Sequence, residues 1–95
     1  MAEERGNPKR LEVLVINDDA EAPSLLNPLN GQMLITNRVG KRIVELADGS
    51  LDVAAIAGRV AREFRGAREE DVLAHAERFL AEGERKGIVT WTGKS

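Results

Sequence analysis

Cysteine is absent from this chain, which excludes disulfides, thiolate catalysis and zinc–cysteine sites together. The single histidine, His75, supplies too few ligands for an imidazole metal site. On a helix beside Glu77 and Arg78 it has no orienting partner for general-base work, and it reads as a surface or groove-edge residue. Only three aromatics occur, Phe64, Phe79 and Trp91, so a core has to be aliphatic and alanine-rich. No apolar run approaches the roughly 20 residues of a membrane-spanning helix. Met1 to Arg10 is polar throughout and lacks the apolar stretch of a secretion signal. These absences predict a soluble cytoplasmic protein that carries no chemistry of its own. The carboxylate clusters Asp18-Asp19 and Glu69-Glu70-Asp71 do not have the spacing of a calcium loop; a turn and a helix start account for them. Ser50, in Gly49-Ser50-Leu51-Asp52, stands where a carrier protein places its modified serine. The strands before it leave no room for the long helix and loop of such a domain, and helix capping explains it.

What remains is a short chain with clear local signals. Ninety-five residues suit one domain, expected over residues 11–91, with a flexible arm over 1–10 and a flexible tail over 92–95. Gly6-Asn7-Pro8 argues against regular structure in the arm. Leu11 to Ile16 is rich in β-formers and reads as a first strand. A polar loop, 17–23, leads to a short strand over Ser24–Asn27, and Pro28 to Gly31 turns the chain back into Gln32–Thr36. Asn37 then offers its side-chain oxygen to a helix start, and Val39, Ile43, Leu46 and Ala47 recur at helical spacing. Asp48-Gly49 ends that helix. A second helix is predicted over Asp52–Phe64, with the apolar stripe Val53, Ile56, Ala57, Val60 and Phe64 and a stop at Gly66. A third runs from Glu69 to Lys86, acidic where its dipole is positive and basic where it is negative, and stops at Gly87. Ile88 to Trp91 closes the chain as an extended segment. The predicted fold is α+β: a small three-stranded antiparallel sheet followed by three helices, a winged-helix-like order.

Charge is unevenly spread. Residues 38–68 carry seven Lys/Arg against four Asp/Glu, whereas residues 69–86 carry three against six. Arg59, Arg62, Arg65 and Arg68 form a solvated basic row whose stems cover apolar surface. A winged-helix-like DNA-binding regulator, or a protein-interaction module, is the alternative that this architecture offers. The third helix would have to enter the major groove between phosphates, yet it begins Glu-Glu-Asp and is net negative. Part of its apolar stripe (Val72, Leu73, Ala76, Phe79 and Leu80) instead suits one wall of a groove. The strand Gln32–Thr36, if outermost, forms the other wall, and its unpaired backbone could accept an extended peptide as an added strand. A homodimer through that same strand is a third possibility.

The run Leu25-Leu26-Asn27-Pro28, Leu34-Ile35-Thr36-Asn37, Val39-Gly40 and Ile43 to Gly49 resembles the PqqD family of small peptide chaperones. Val53 to Phe64, Asp71-Val72, Phe79-Leu80 and Gly87-Ile88-Val89 agree with it, so the similarity covers about Leu11 to Val89. The resemblance implies a noncatalytic recognition element for ribosomally made precursor peptides, without a cofactor of its own. The leader peptide would add to the strand edge and lie against the third helix. The contacts it implies are the backbone of Met33, Leu34, Ile35 and Thr36 and the side chains of Val72, His75, Ala76 and Phe79. The implied partner is a modifying enzyme, often a radical S-adenosylmethionine enzyme, which would hold any iron–sulfur cluster. Family members often carry an aromatic-rich basic segment between the first two strands. Here residues 17–22 are short-chained and acidic, which favours a relative acting on a peptide other than the quinone precursor.

Overall fold

The structure, a computed structural model, describes residues 6–19 and 21–92. Five strands and three helices follow in the order β1 (Pro8–Arg10), β2 (Val15–Asn17), β3 (Ser24–Leu26), β4 (Met33–Ile35), α1 (Arg38–Leu46), α2 (Val53–Glu63), α3 (Glu69–Arg85) and β5 (Val89–Trp91). Strands β2, β3 and β4 form one antiparallel sheet in chain order, and β1 pairs with β5 in a second. The α+β fold with a three-stranded sheet and three helices is therefore the one expected.

The helices begin and end where the sequence provides for it. Asn37 accepts a hydrogen bond from the Gly40 amide at 2.9 Å, and Asp52 accepts one from Ala55 at 2.8 Å. Each satisfies an amide that has no partner inside its helix. Beyond α2 and α3, Gly66 and Gly87 have φ of +84° and +73°, a conformation costly for any residue with a Cβ. The three helices bury their apolar stripes together over one face of the three-stranded sheet. Leu25, Ile43, Val44, Ile56, Val60, Leu80, Ile88 and Val89 are among the fully buried side chains. Burying an aliphatic side chain of this size contributes about 1.5–3 kcal/mol.

The ends of the chain depart from expectation. Residues 1–5 of the expected arm and 93–95 of the expected tail lie outside the described residues, but Gly6 to Arg10 is built into the fold. The Arg10 amide donates to Ala47 O at 2.7 Å, and its guanidinium bonds the Glu45 carbonyl at 2.9 Å. A cation at the negative end of α1 thus holds β1 in place. Thr92 donates its amide to Asn7 O at 2.7 Å, which carries the β1–β5 pairing one residue into the expected tail. Proline opens β1, a position where its missing N–H costs no ladder bond. The first strand of the main sheet also starts later than Leu11. The Leu11 amide is taken by Ile88 O, and Leu14 turns back onto Leu11 O, so pairing with β3 begins only at Val15.

Candidate functional site

Two edges of the main sheet are open in principle, and hydrogen-bond parity separates them. In β3–β4 the register pairs Ser24 with Ile35, Leu25 with Leu34 and Leu26 with Met33. The amide of Thr36 donates to Pro23 O at 2.8 Å, and that of Asn27 donates to Gln32 O at 2.9 Å. Antiparallel pairs alternate between bonded and non-bonded positions. Gln32, Leu34 and Thr36 therefore turn their polar backbone toward β3. Met33 and Ile35 turn theirs outward, where no other described strand pairs with β4. By the same alternation β2 presents only Ile16 outward, beside a loop that the Lys41–Asp18 ion pair ties to α1. The longer open ladder belongs to β4.

The side chains of β4 follow the pleat. Leu34 lies in one row with Leu25 and Ile16 and packs toward the core. Met33 and Ile35 project from the opposite face, 51% and 68% exposed. Of the four backbone positions expected to receive a peptide, the structure leaves two, Met33 and Ile35, with free hydrogen-bonding groups. Leu34 and Thr36 already spend theirs inside the sheet.

Thr36 and Asn37 hand β4 over to α1, and Gly40 makes that junction tight. A Cβ at Gly40 would stand 1.9 Å from Thr36 Oγ1 and 3.2 Å from Phe79 Cε1, so only glycine lets β4, α1 and α3 meet there. Beyond this contact a depression of about 290 Å³ opens, lined by Asn37, Val39, Gly66, Ala67, Arg68, Asp71, Val72 and His75. The α3 residues expected at the site divide by depth. Ala76 is fully buried, Val72 and Phe79 show 6% and 9% of their surface, and His75 is half-buried at the rim. Val72 and His75 line the depression, whereas Ala76 and Phe79 belong to the core beneath them. Asn37, Val39 and Ala67 line the depression without having been picked out as site residues. Val39 sits on the apolar stripe of α1, and its place at the stripe's first turn, next to the strand, was the available signal.

His75 carries the one polar side-chain atom among the described residues, Nε2, that is buried without a hydrogen-bond partner. Its ring lies nearly parallel to Phe79, with centroids 6.0 Å apart and planes 18° from each other. Burial, and then the Arg78 charge, push its pKa below the usual imidazole value. A larger depression of about 420 Å³, between the β2–β3 loop and α1, has a different character. Several of its charges pair with one another: Lys41 with Asp18 at 3.2 Å and with Glu45 at 3.1 Å, and Arg42 with Glu63 at 2.8 Å. The hydrogen bonds to Glu45 and then Asp18 hold the Lys41 pKa above its ordinary value.

Among the described residues no group of three or more His, Cys, Asp or Glu side chains converges to hold a metal ion. None of the described helices is long and apolar enough to cross a membrane.

The family model for Coenzyme PQQ synthesis protein D (PqqD) matches residues 24–89, from the start of β3 into β5. A solved structure, TbiB1 in complex with the TbiA(beta) leader peptide, superposes with a TM-score of 0.68 at 20% sequence identity. The match covers 92% of this chain and 98% of that one, which establishes a shared fold. No curated protein matches.

Proposed function

The chain belongs to the PqqD family, and from that premise we propose that it is a noncatalytic adaptor for a ribosomally made precursor peptide. The leader segment of the precursor adds to β4 as a fourth strand and lies in the groove toward α3. The observation that carries this is the open ladder of β4, the outward N–H and C=O of Met33 and Ile35, on a strand that leads through Thr36 into a depression lined by Asn37, Val39, Val72 and His75. Strand addition needs this pairing of free backbone and adjacent apolar depression. The backbone supplies affinity, and alternate side chains supply selectivity. One set of leader side chains falls toward Val39, Val72 and His75, and the other lies on the outer face with Met33 and Ile35. The solved structure of similar fold contains a leader peptide, which supports the same use here.

The precursor bound in this way is presented to a modifying enzyme, for which a radical S-adenosylmethionine enzyme is our choice of class. Any cluster or cofactor belongs to that enzyme, since this chain has no cysteine to ligate iron. The acidic, aromatic-free stretch 17–22 points to a peptide other than the quinone precursor. We place the adaptor in the cytoplasm, where ribosomal products are accessible. The test is capture of ligands from the native cell on the immobilised chain, with mass spectrometry of what is eluted. A short genome-encoded peptide should be enriched, and a synthetic copy of it should bind with one-to-one stoichiometry in calorimetry. Recovery of nucleic acid in its place would overturn the proposal.

A further inference from the structure

We propose that Met33 and Ile35 select the leader by its side chains as well as by its backbone. The segment that adds to β4 then carries two uncharged apolar residues, at i and i+2, on the outer face of the sheet. This preference rests on the proposed function, since it names the class of segment that the open ladder accepts.

Paired residues of a sheet share a face, so the register sorts the outer side chains into rows that run across the strands. Val15, Leu26 and Met33 make one row, and Asn17, Ser24 and Ile35 make the other. Both rows end at the open edge of β4 with a large apolar side chain, and both of those side chains are exposed. A solitary exposed apolar residue is ordinary. Here one row is apolar across all three strands, where an antiparallel sheet with a face in water commonly turns polar side chains outward. The usual guards of an edge strand (lysine, proline, an inward charge) are also missing from β4.

A strand added outside β4 gives each row a fourth member. Antiparallel addition, the arrangement of every pair in this sheet, sets leader residue i opposite Ile35 and residue i+2 opposite Met33. Residue i+1 then faces Leu34 and turns to the helix side. The two outer contacts differ in kind. Ile35 is branched at Cβ and stiff, so it pairs best with a β-branched or aromatic side chain. Met33 is unbranched and adapts its shape, and the row behind it is apolar, so it accepts any large apolar residue. Neither row holds a charge, in a chain of which 32% is charged. A lysine or glutamate at leader position i or i+2 finds no counter-charge in the rows and leaves Ile35 or Met33 uncovered. Each apolar pair should tighten binding roughly 1.5- to 5-fold.

The test is selection of random peptides of strand length by mRNA display on the immobilised full chain, with fluorescence anisotropy of synthetic copies. The wild-type chain should enrich a β-branched or aromatic residue followed, two places on, by a large apolar one. Lysine or glutamate at either place should raise Kd by roughly 1.5- to 5-fold. Ile35→Lys should enrich Asp or Glu at the first place and Ile35→Glu should enrich Lys or Arg, because opposite charges attract across two strands and like charges repel. Met33→Lys and Met33→Glu should do the same at the second place. Circular dichroism identifies any variant that fails to fold, and the others then carry the test. Selected peptides whose outer residues show no preference, or folded charge variants that select as wild type does, overturn the side-chain selection. If those peptides still slow amide exchange at Met33 and Ile35, the adaptor function stands. Selected peptides that leave both amides exchanging freely overturn the adaptor function and the selection with it.

Discussion

Proline at position 35 separates the outward groups of β4 from its inward ones. The Ile35 amide makes no bond to β3, so Ile35→Pro removes no ladder hydrogen bond, and the lost side chain is 68% exposed. Its effect on folding should stay within about 1 kcal/mol, the scale of surface changes away from special features. Binding should suffer more. One interstrand hydrogen bond is worth about 0.5–1.5 kcal/mol, and leaving the peptide carbonyl unpaired raises the loss to about 1–3 kcal/mol. At 1.4 kcal/mol per decade, Kd for the leader peptide should rise roughly 5- to 150-fold. Leu34→Pro reverses the pattern, since it breaks the ladder to β3 and removes a side chain packed on the core. That change should cost on the order of 3 kcal/mol of stability, a large share of what so small a domain has. Urea unfolding and calorimetric titration of both variants measure the two effects. A folded I35P that binds the leader as tightly as wild type, or an unfolded I35P beside a stable L34P, would refute the parity assigned to β4.

Further expectations follow from contacts elsewhere. Phe79→Ala should destabilise the fold by about 3–5 kcal/mol in chemical denaturation, because the ring is 9% exposed and packs in the core. Gly40→Ala should cost about 1–3 kcal/mol, and Thr36→Ala in the same chain should restore part of it, since the clash is with Thr36 Oγ1. Asn27→Ala should cost about 1–3 kcal/mol, because this buried side chain accepts from the Leu29 amide and donates to Gly87 O. His75 has a folded pKa below its unfolded value of 6.5, so the unfolded state binds the proton more readily. Stability should be full above that value and decline as pH falls through it toward the lowered folded pKa. A His75→Leu variant should flatten this part of the pH profile in urea melts.

Elements with strong local signals were legible in the sequence. Asn37 and Asp52 cap the helices they were expected to cap, and the glycines at 66 and 87 end α2 and α3. The strand expected over Gln32–Thr36, found at Met33–Ile35, followed from the turn at 28–31 and the period of apolar residues. What the sequence hid was non-local. Arg10 is anchored by carbonyls 34 to 37 residues away, so residues 8–10 looked like a loose arm. The outward parity of β4 depends on which residue of β3 each one faces, and neither strand shows this alone. The depth of Val72, Ala76 and Phe79 was hidden too, because one stripe at helical spacing serves both core and groove.

Amide hydrogen exchange by NMR, with and without the leader peptide, tests the central claim most directly. In a dilute sample of the free chain the Leu34 and Thr36 amides should be protected, while those of Met33 and Ile35 exchange rapidly. Saturating peptide should slow Met33 and Ile35 by at least tenfold and leave Leu34 and Thr36 protected. Protection that appears on another element, with Met33 and Ile35 still exchanging freely, would show that the peptide does not add to β4.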